Sequence, residues 1–126
     1  MQKEKGMHTV RSLKTKIICP NWREEADFYQ VHFGMEVAEQ WDEPTDQGII
    51  LAFPGRREAL LEVYNGPKCG LDGLSMQFRV DDVTLFAASL DSMVKAVGPV
   101  DRPWGARYLY LTDPAGVSVI VYSDGW

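Results

Sequence analysis

The order of the predicted secondary-structure elements repeats along the chain, and this repeat restricts the fold more than any other feature. Each half contains a strand, a helix and then three strands, over residues 13–64 and 75–126. Residues 65–74, between the halves, are rich in Gly and Pro and lack an apolar period, which is typical of a linker. Two βαβββ modules predict one α+β domain, with a helix on one face of each sheet. The opposite faces are then free, and we expect a curved mixed sheet around a cleft.

The clearest local signal is a β-hairpin at residues 108–123. Residues 113–116 carry Asp, Pro and Gly at the first, second and fourth positions of a type I turn, between two alternating runs. In the second run, Val117, Val119 and Val121 share one face and suit a hydrophobic core. The opposite face mixes a hydroxyl, an aliphatic and a phenol side chain, which is typical of the wall of a small-molecule cavity.

The first helix is predicted at residues 22–33 from its apolar spacing and its capping residues. Asn21 is a good N-cap, and Glu24 completes a capping box. Gly34 supplies a left-handed C-terminal cap. The strand that follows is predicted at residues 35–41, with residues 42–48 as its turn.

The second helix is predicted to begin after Asp81-Asp82 and to be long. Apolar residues recur at steps of 3 and 4 from Val83 as far as Val97, and Gly98 ends the pattern. The other strands are predicted at residues 13–18, 49–53, 59–64 and 75–80, around Val100, and at 107–112 and 117–122.

Composition excludes several classes of partner. The net charge of −5 and the scattered Lys and Arg residues do not suit a nucleic-acid surface. No apolar run approaches the roughly 20 residues of a membrane span, so no membrane partner is expected. Residues 1–12 are charged without an apolar core, so they are predicted to be a flexible tail rather than a signal peptide, and the protein to be cytoplasmic. Cys19 and Cys69 form no CxxC pair and are expected to be reduced.

Five short motifs are spread along both modules: residues 26–29 (ADFY), 33–37 (FGMEV), 78–83 (FRVDDV), Trp104-Gly105 and 113–116 (DPAG). Together they resemble the vicinal oxygen chelate superfamily, which includes glyoxalase I, extradiol dioxygenases, fosfomycin-inactivating transferases and bleomycin-type resistance proteins. The resemblance extends from residue 13 to 123 and implies the glyoxalase/bleomycin resistance fold. Members commonly complete their clefts across subunits, so it also implies a homodimer.

The resemblance also indicates where a metal would be bound. Metal-dependent members place His, Gln or Glu ligands in the first and last strands of each module. The corresponding residues here are Lys14, Glu62, Ser75 and Ile120, and of these only Glu62 is a competent ligand. Neither of the two histidines lies at a cleft-facing strand position. We therefore expect no metal and no other cofactor.

If those four residues face the cleft, the alternation of side chains along each strand predicts which other residues line it. Tyrosine offers a flat apolar ring and a hydroxyl, Arg79 can bind a carboxylate or phosphate in a fork, and Trp104 is expected at the rim. The residues alone leave a structural role open, in which Arg79 and the lysines reach solvent and the tyrosines close the core. The predicted ligand-binding residues are Lys14, Lys16, Tyr64, Ser75, Gln77, Arg79, Trp104, Tyr108, Tyr110, Ser118 and Tyr122.

Three functions follow from this reading. The first is a metal-free protein that sequesters an aromatic or polar organic molecule, as the bleomycin-type antibiotic-resistance members do. The second is a glyoxalase-like lyase or isomerase, or a dioxygenase, in which Glu62 is catalytic, either with a metal or as a general base. Beside Lys14, Glu62 would instead be a structural carboxylate. The third is a protein-interaction domain without a ligand.

Overall fold

The computed structural model describes residues 10–68 and 70–124 of the chain. It confirms the α+β class and the repeated order of strand, helix and three strands. The predicted tail and His8 lie largely or wholly outside this range, because residues 1–9 are not described. The elements are β1 (Leu13–Cys19), α1 (Trp22–Phe33), β2 (Glu36–Glu43), β3 (Asp46–Ala52), β4 (Ala59–Asn65), β5 (Ser75–Arg79), α2 (Val83–Ala88), β6 (Lys95–Asp101), β7 (Arg107–Thr112) and β8 (Ser118–Ser123).

The strands form two separate four-stranded sheets with the same topology. Sheet 1 has the order β1-β4-β3-β2, and sheet 2 has the order β5-β8-β7-β6. In each sheet the first strand of the module pairs in parallel with the last, and the other pairs are antiparallel. The predicted two-module architecture is therefore confirmed. No helix in the described ranges is long and apolar enough to cross a membrane.

One hydrophobic core lies between the sheets. It contains the inward-facing residues of both: Ile17, Leu61 and Val63 from sheet 1, and Leu109 and Val119 from sheet 2, among others. The strand alternation that predicted these inner faces is confirmed by their burial. Because both apolar faces share this core, the polar face of each sheet points away from it.

Helix α1 joins the two modules. It packs on β3 and β4 of its own sheet, and its buried side reaches the β7–β8 turn. There the Tyr29 hydroxyl donates to Asp113 Oδ2 at 2.7 Å, and the Ala115 N–H donates to Glu25 Oε1 at 2.9 Å. Farther along, the ring centroids of Phe33 and Phe78 are 4.5 Å apart. The turn itself is closed by the predicted bond from the Gly116 N–H to the Asp113 carbonyl, at 2.9 Å.

The second helix is much shorter than predicted, because α2 ends at Ala88 and the next residues turn into β6. The Ser89 hydroxyl donates to the Phe86 carbonyl, and the Met93 N–H donates to the Asp91 side chain. These bonds satisfy backbone groups that a continuing helix would use for itself. Val97, which fits the helical spacing, is instead an exposed residue of β6.

Two smaller predictions at module 1 are also wrong. Asn21 occupies the N-cap position of α1, but its side chain does not accept a capping bond; it donates to Glu24 Oε1 at 3.2 Å and to the Pro114 carbonyl at 3.0 Å. The turn predicted at 42–48 is shorter than expected, since β2 continues to Glu43 and β3 starts at Asp46. The left-handed cap is confirmed, with Gly34 at φ 68°.

Candidate functional site

The polar face of sheet 1 carries a cluster that we call the lysine-glutamate patch: Lys14, Lys16, Glu62 and Tyr64. Lys16 is the register partner of Glu62, which places their side chains on the same face. Glu62 Oε1 lies 3.1 Å from the Lys14 amine, and Oε2 lies 3.6 Å from the Lys16 amine. The carboxylate of Glu62 is therefore held between two ammonium groups, while its side chain is only 9% exposed.

Tyr64 extends the patch toward the hairpin of β2 and β3. The Lys16 amine lies 4.4 Å above the Tyr64 ring, and the Trp41 ring lies 6.5 Å from it on the other side. The Trp41 indole donates to Asp46 at 2.8 Å. A hydrogen bond to Asp46 raises the pKa of Tyr64. The indole packs directly over Gly48, where a Cβ atom would lie 2.5 Å from Trp41 Cζ2.

The polar face of sheet 2 carries a second cluster, the tyrosine wall: Trp104, Tyr108, Tyr110 and Tyr122. Tyr108 is central, because its ring centroid is 5.7 Å from Tyr122, 5.9 Å from Tyr110 and 5.7 Å from Trp104. All three tyrosines are half-buried. Their hydroxyls have no hydrogen-bond partner among the described residues, so they are available to a ligand or to water.

The remaining predicted residues lie beside the tyrosine wall on the same face. Arg79 is the register partner of Tyr122, and Ser75 is the partner of Ser118; Gln77 lies between them on β5. The side chains beside the wall are all exposed: Ser75, Gln77, Arg79 and Ser118. The side chain of Arg79 makes no ion pair or hydrogen bond with a described residue. The sequence did not single out Arg102, whose guanidinium lies 5.1 Å over the Trp104 ring.

Two cavities lie where the modules meet, and they are mostly apolar. One has a volume of about 350 Å³ and is lined by residues such as Leu13, Phe53, Leu60 and Met76. The other, of about 480 Å³, lies next to Phe33 and Phe86. Of the predicted site residues, Ser75 and Gln77 line the first cavity, and Gln77 and Arg79 line the second. Neither cavity is lined by the lysine-glutamate patch or by the tyrosine wall.

The sequence-predicted residues therefore form two groups rather than one. The lysine-glutamate patch and the tyrosine wall lie on the outer faces of different sheets, with the shared core between those sheets. Within residues 10–68 and 70–124, no hydrogen bond, ion pair or ring contact joins them. A cleft that uses both groups needs the patch of one chain opposite the wall of another.

The residues at the places that bind metal in the resembling superfamily do not fit a metal ion. Lys14 and Glu62 are neighbours in the patch, but the amine repels a cation and occupies the carboxylate. Ser75 and Ile120 lie on sheet 2, where Ile120 has no donor atom. In the described part of the chain, no three His, Cys, Asp or Glu residues are grouped closely enough to hold a metal.

A buried carboxyl pair lies away from both groups, at the junction of α1 and the β7–β8 turn. Glu25 and Asp113 are both buried, and the Ala115 N–H donates to each of them. Burial and the neighbouring Asp113 carboxyl raise the pKa of Glu25 to about 9, so Glu25 is protonated at neutral pH. Cys19 has a free, buried thiol nearby whose pKa burial raises to about 11, and Cys69 lies outside the described residues.

Solved structures share this fold at low sequence identity. The antibiotic-binding protein TnmS3 from Streptomyces sp. CB03234 is 19% identical, with a TM-score of 0.72 over 94% of this chain and 99% of that one. The bleomycin resistance determinant of transposon Tn5 is 16% identical, with a TM-score of 0.65 over 93% and 100%. The fosfomycin resistance protein FosX from Listeria monocytogenes is 13% identical, with a TM-score of 0.77 over 93% and 96%.

A family model agrees with these similarities. No curated protein sequence matches the chain. The model described as Glyoxalase/Bleomycin resistance protein/Dioxygenase superfamily matches residues 8–121, which is most of the chain. The fold and this match together confirm the resemblance seen in the motifs. The chain belongs to the Glyoxalase/Bleomycin resistance protein/Dioxygenase superfamily.

Proposed function

We propose that the protein binds and sequesters a small aromatic or polar organic molecule in the cytoplasm, without a metal and without chemical change. One observation carries this proposal. At the four places that correspond to the ligands of metal-dependent superfamily members, the one carboxylate, Glu62, is neutralised by Lys14 and Lys16. The tyrosine wall, in contrast, presents aromatic faces and unpaired hydroxyls, which suit a ligand.

The proposed binding cleft forms in a homodimer. Each chain supplies its lysine-glutamate patch to one cleft and its tyrosine wall to the other. A two-fold axis makes such a contact reciprocal, so the dimer has two equivalent clefts. This arrangement accounts for two groups of predicted residues that face away from each other in one chain.

The names of two similar structures support a binding role. TnmS3 is described as an antibiotic-binding protein, and the Tn5 protein as a bleomycin resistance determinant. Both cover nearly the whole chain at identities below 25%, so they show the fold and suggest only the class of ligand. The ligands to test first are therefore antibiotics with planar aromatic groups, together with aromatic acids and glutathione conjugates.

A thermal-shift screen tests the proposal. Bleomycin, aromatic acids and glutathione conjugates are added to the protein after treatment with a chelator. A ligand of the native state should raise the melting temperature by an amount that follows RT ln(1 + [L]/Kd). The compound should then be recovered unchanged after prolonged incubation, as judged by mass spectrometry.

Two outcomes contradict the proposal. A compound that is converted to a product would show that the protein is an enzyme, and a Glu62→Gln variant that binds without conversion would identify Glu62 as the base. No response across the whole screen would favour the protein-interaction domain. The matched control is Arg56→Gln, which changes an exposed residue in the β3–β4 loop and should bind as the unmodified chain does.

A further inference from the structure

The aromatic residues of sheet 2 form a row with a guanidinium group at each end. Tyr122 contacts Tyr108 at 5.7 Å between ring centroids, and Tyr108 contacts Trp104 at 5.7 Å. Arg79 is the register partner of Tyr122 at one end, and Arg102 lies 5.1 Å over Trp104 at the other. A flat molecule on this row would have a cation within reach at either edge.

The face of sheet 2 that carries the tyrosine wall has no acidic strand residue. Every strand residue on the face of the tyrosine wall is neutral or basic, although the chain as a whole has a net charge of −5. The acidic residue of β6, Asp101, pairs with Arg107 on the opposite face, where Arg107 also donates to Thr84 of α2. The strands of this face therefore offer no carboxylate to Arg79, and Asp81 and Asp124, which follow β5 and β8, form no ion pair with it in the described structure.

Arg79 and Arg102 differ in their exposure and in the contacts of their guanidinium groups. Arg102 is half-buried against Trp104, and its Nε atom has no hydrogen-bond partner in the described structure. Arg79 is exposed, and its whole guanidinium is without a partner among the described residues. The lysines of the other sheet contrast with both, since Lys14 and Lys16 are paired with Glu62. Arg79 is thus the cation best placed to bind an anionic group in a fork.

We infer that the ligand class is a planar aromatic anion, whose ring lies on Tyr108 and Tyr122 and whose carboxylate or phosphate is bound by Arg79. This inference rests on the proposed binding function and adds the charge of the ligand and its orientation. The tyrosine hydroxyls and the Gln77 amide, which have no described partner, are positioned to donate further hydrogen bonds to oxygen atoms of the ligand.

The test uses four naphthalene probes that share one ring system. They are 2-naphthoate and 1-naphthyl phosphate, which are anionic, 2-naphthamide, which is neutral, and 2-naphthylmethylammonium, which is cationic. Affinities are measured by calorimetry and by thermal shift for the full chain and for Arg79→Gln, Arg79→Lys and Arg56→Gln. The last variant makes the same charge change on an exposed arginine away from this face.

The inference predicts that an anionic probe binds at least about ten-fold more tightly than 2-naphthamide, since a hydrogen-bonded charge pair contributes about that much. Arg79→Gln should abolish this preference and leave 2-naphthamide binding within about two-fold. Arg79→Lys should keep part of the preference, and Arg56→Gln all of it. Which of 2-naphthoate and 1-naphthyl phosphate binds more tightly then distinguishes a carboxylate from a phosphate ligand.

Other results overturn the inference. Equal affinity for the anionic and neutral probes, a preference for the cationic probe, or an equal loss for all probes in Arg79→Gln would each show that Arg79 does not select an anion. In these cases binding itself survives, so the proposed function stands. Binding of none of the four probes also overturns this inference, whereas the binding function is judged separately by its broader screen.

Discussion

The role of Glu62 decides between metal-dependent chemistry and simple ligand binding in this chain. Its position was predicted from the resemblance, and its neighbours from strand alternation. The sequence left two roles open, because it could not show how close Lys14 and Lys16 come to the carboxylate. Distances of 3.1 and 3.6 Å make the ion pair the observed arrangement. A catalytic role for Glu62 stays a prediction that the screen for converted ligands tests.

The raised pKa of Glu25 predicts that the stability of the protein depends on pH. Its pKa is about 9 in the folded protein and near the ordinary value of 4.5 when unfolded. Its contribution to stability is therefore complete below about pH 4.5 and is lost as the pH rises through about 9. We expect the free energy of unfolding of the native sequence, relative to Glu25→Gln, to fall by up to about 1.4 kcal/mol per pH unit between these limits.

Urea denaturation of both proteins from pH 6 to 9 measures this difference. Glu25→Gln retains an oxygen that can accept from the Ala115 N–H, so it should fold. Glu24→Gln, an exposed neighbour on α1, serves as the control and should run parallel to the native sequence. Parallel curves for Glu25→Gln as well would contradict the assignment of a protonated Glu25.

The close contact between Gly48 and Trp41, beside the lysine-glutamate patch, predicts that a larger residue at position 48 destabilises the protein. A Cβ atom there would lie 2.5 Å from Trp41 Cζ2, so Gly48→Ala must displace the indole or distort β3. We expect a loss of about 1–3 kcal/mol in the free energy of unfolding, as for other overpacked sites. The control is Gly70→Ala, because an added Cβ there meets no atom within 4 Å. Denaturant curves that coincide for the two variants would show that Trp41 adapts freely.

Among the secondary-structure elements, local signals predicted the strands and both ends of α1 well, but not the length of α2. The β7–β8 hairpin was predictable because its turn residues and its alternating valines point to the same structure. The length of α2 was not, because Val97 continues the helical spacing although it lies in β6. The choice depends on pairing with β7, which places Val97 opposite Tyr110. Pairing between residues that are distant in the sequence cannot be predicted from the local spacing of apolar residues.

The short helix α2 depends on its N-cap. The Asp82 side chain accepts from the N–H groups of Thr84 and Leu85, at 3.0 and 3.1 Å. We expect Asp82→Ala to lower the free energy of unfolding by about 1 kcal/mol and Asp82→Asn to preserve most of it. Chemical denaturation measures both, with Asp81→Ala as the matched control. An equal loss in the Asp81 and Asp82 variants would point to a general charge effect instead.

For the whole molecule, the sequence predicted which residues share a face but not which faces meet. Alternation assigned Lys14, Glu62 and the tyrosines to polar faces, and this assignment agrees with their position. The element order alone led to one cleft between two faces of a single chain, whereas the resemblance implied clefts completed across subunits. In the structure, α1 holds the modules around a shared core, so those faces point outward. The contact between chains that would join them is a property of the assembly.

Complementation between two defective chains tests the shared cleft. Lys16→Glu disrupts the patch and Tyr122→Ala the wall, so each homodimer should lose binding of a compound that the screen returns. After the two variants are mixed and allowed to exchange subunits, half of the dimers are mixed, and each has one intact cleft. We expect about a quarter of the native number of sites to return. A mixture that stays inactive, although native mass spectrometry shows mixed dimers, would place the cleft within one chain.

The metal content of the purified protein tests most directly whether Glu62 takes part in a metal site. The chain is dialysed against Zn²⁺, Mn²⁺, Fe²⁺ and Ni²⁺ in turn, washed, and analysed by inductively coupled plasma mass spectrometry beside a Glu62→Ala variant. We predict no stoichiometric metal in either protein, because Lys14 and Lys16 occupy the carboxylate of Glu62. One bound ion per chain that disappears in Glu62→Ala would contradict this prediction.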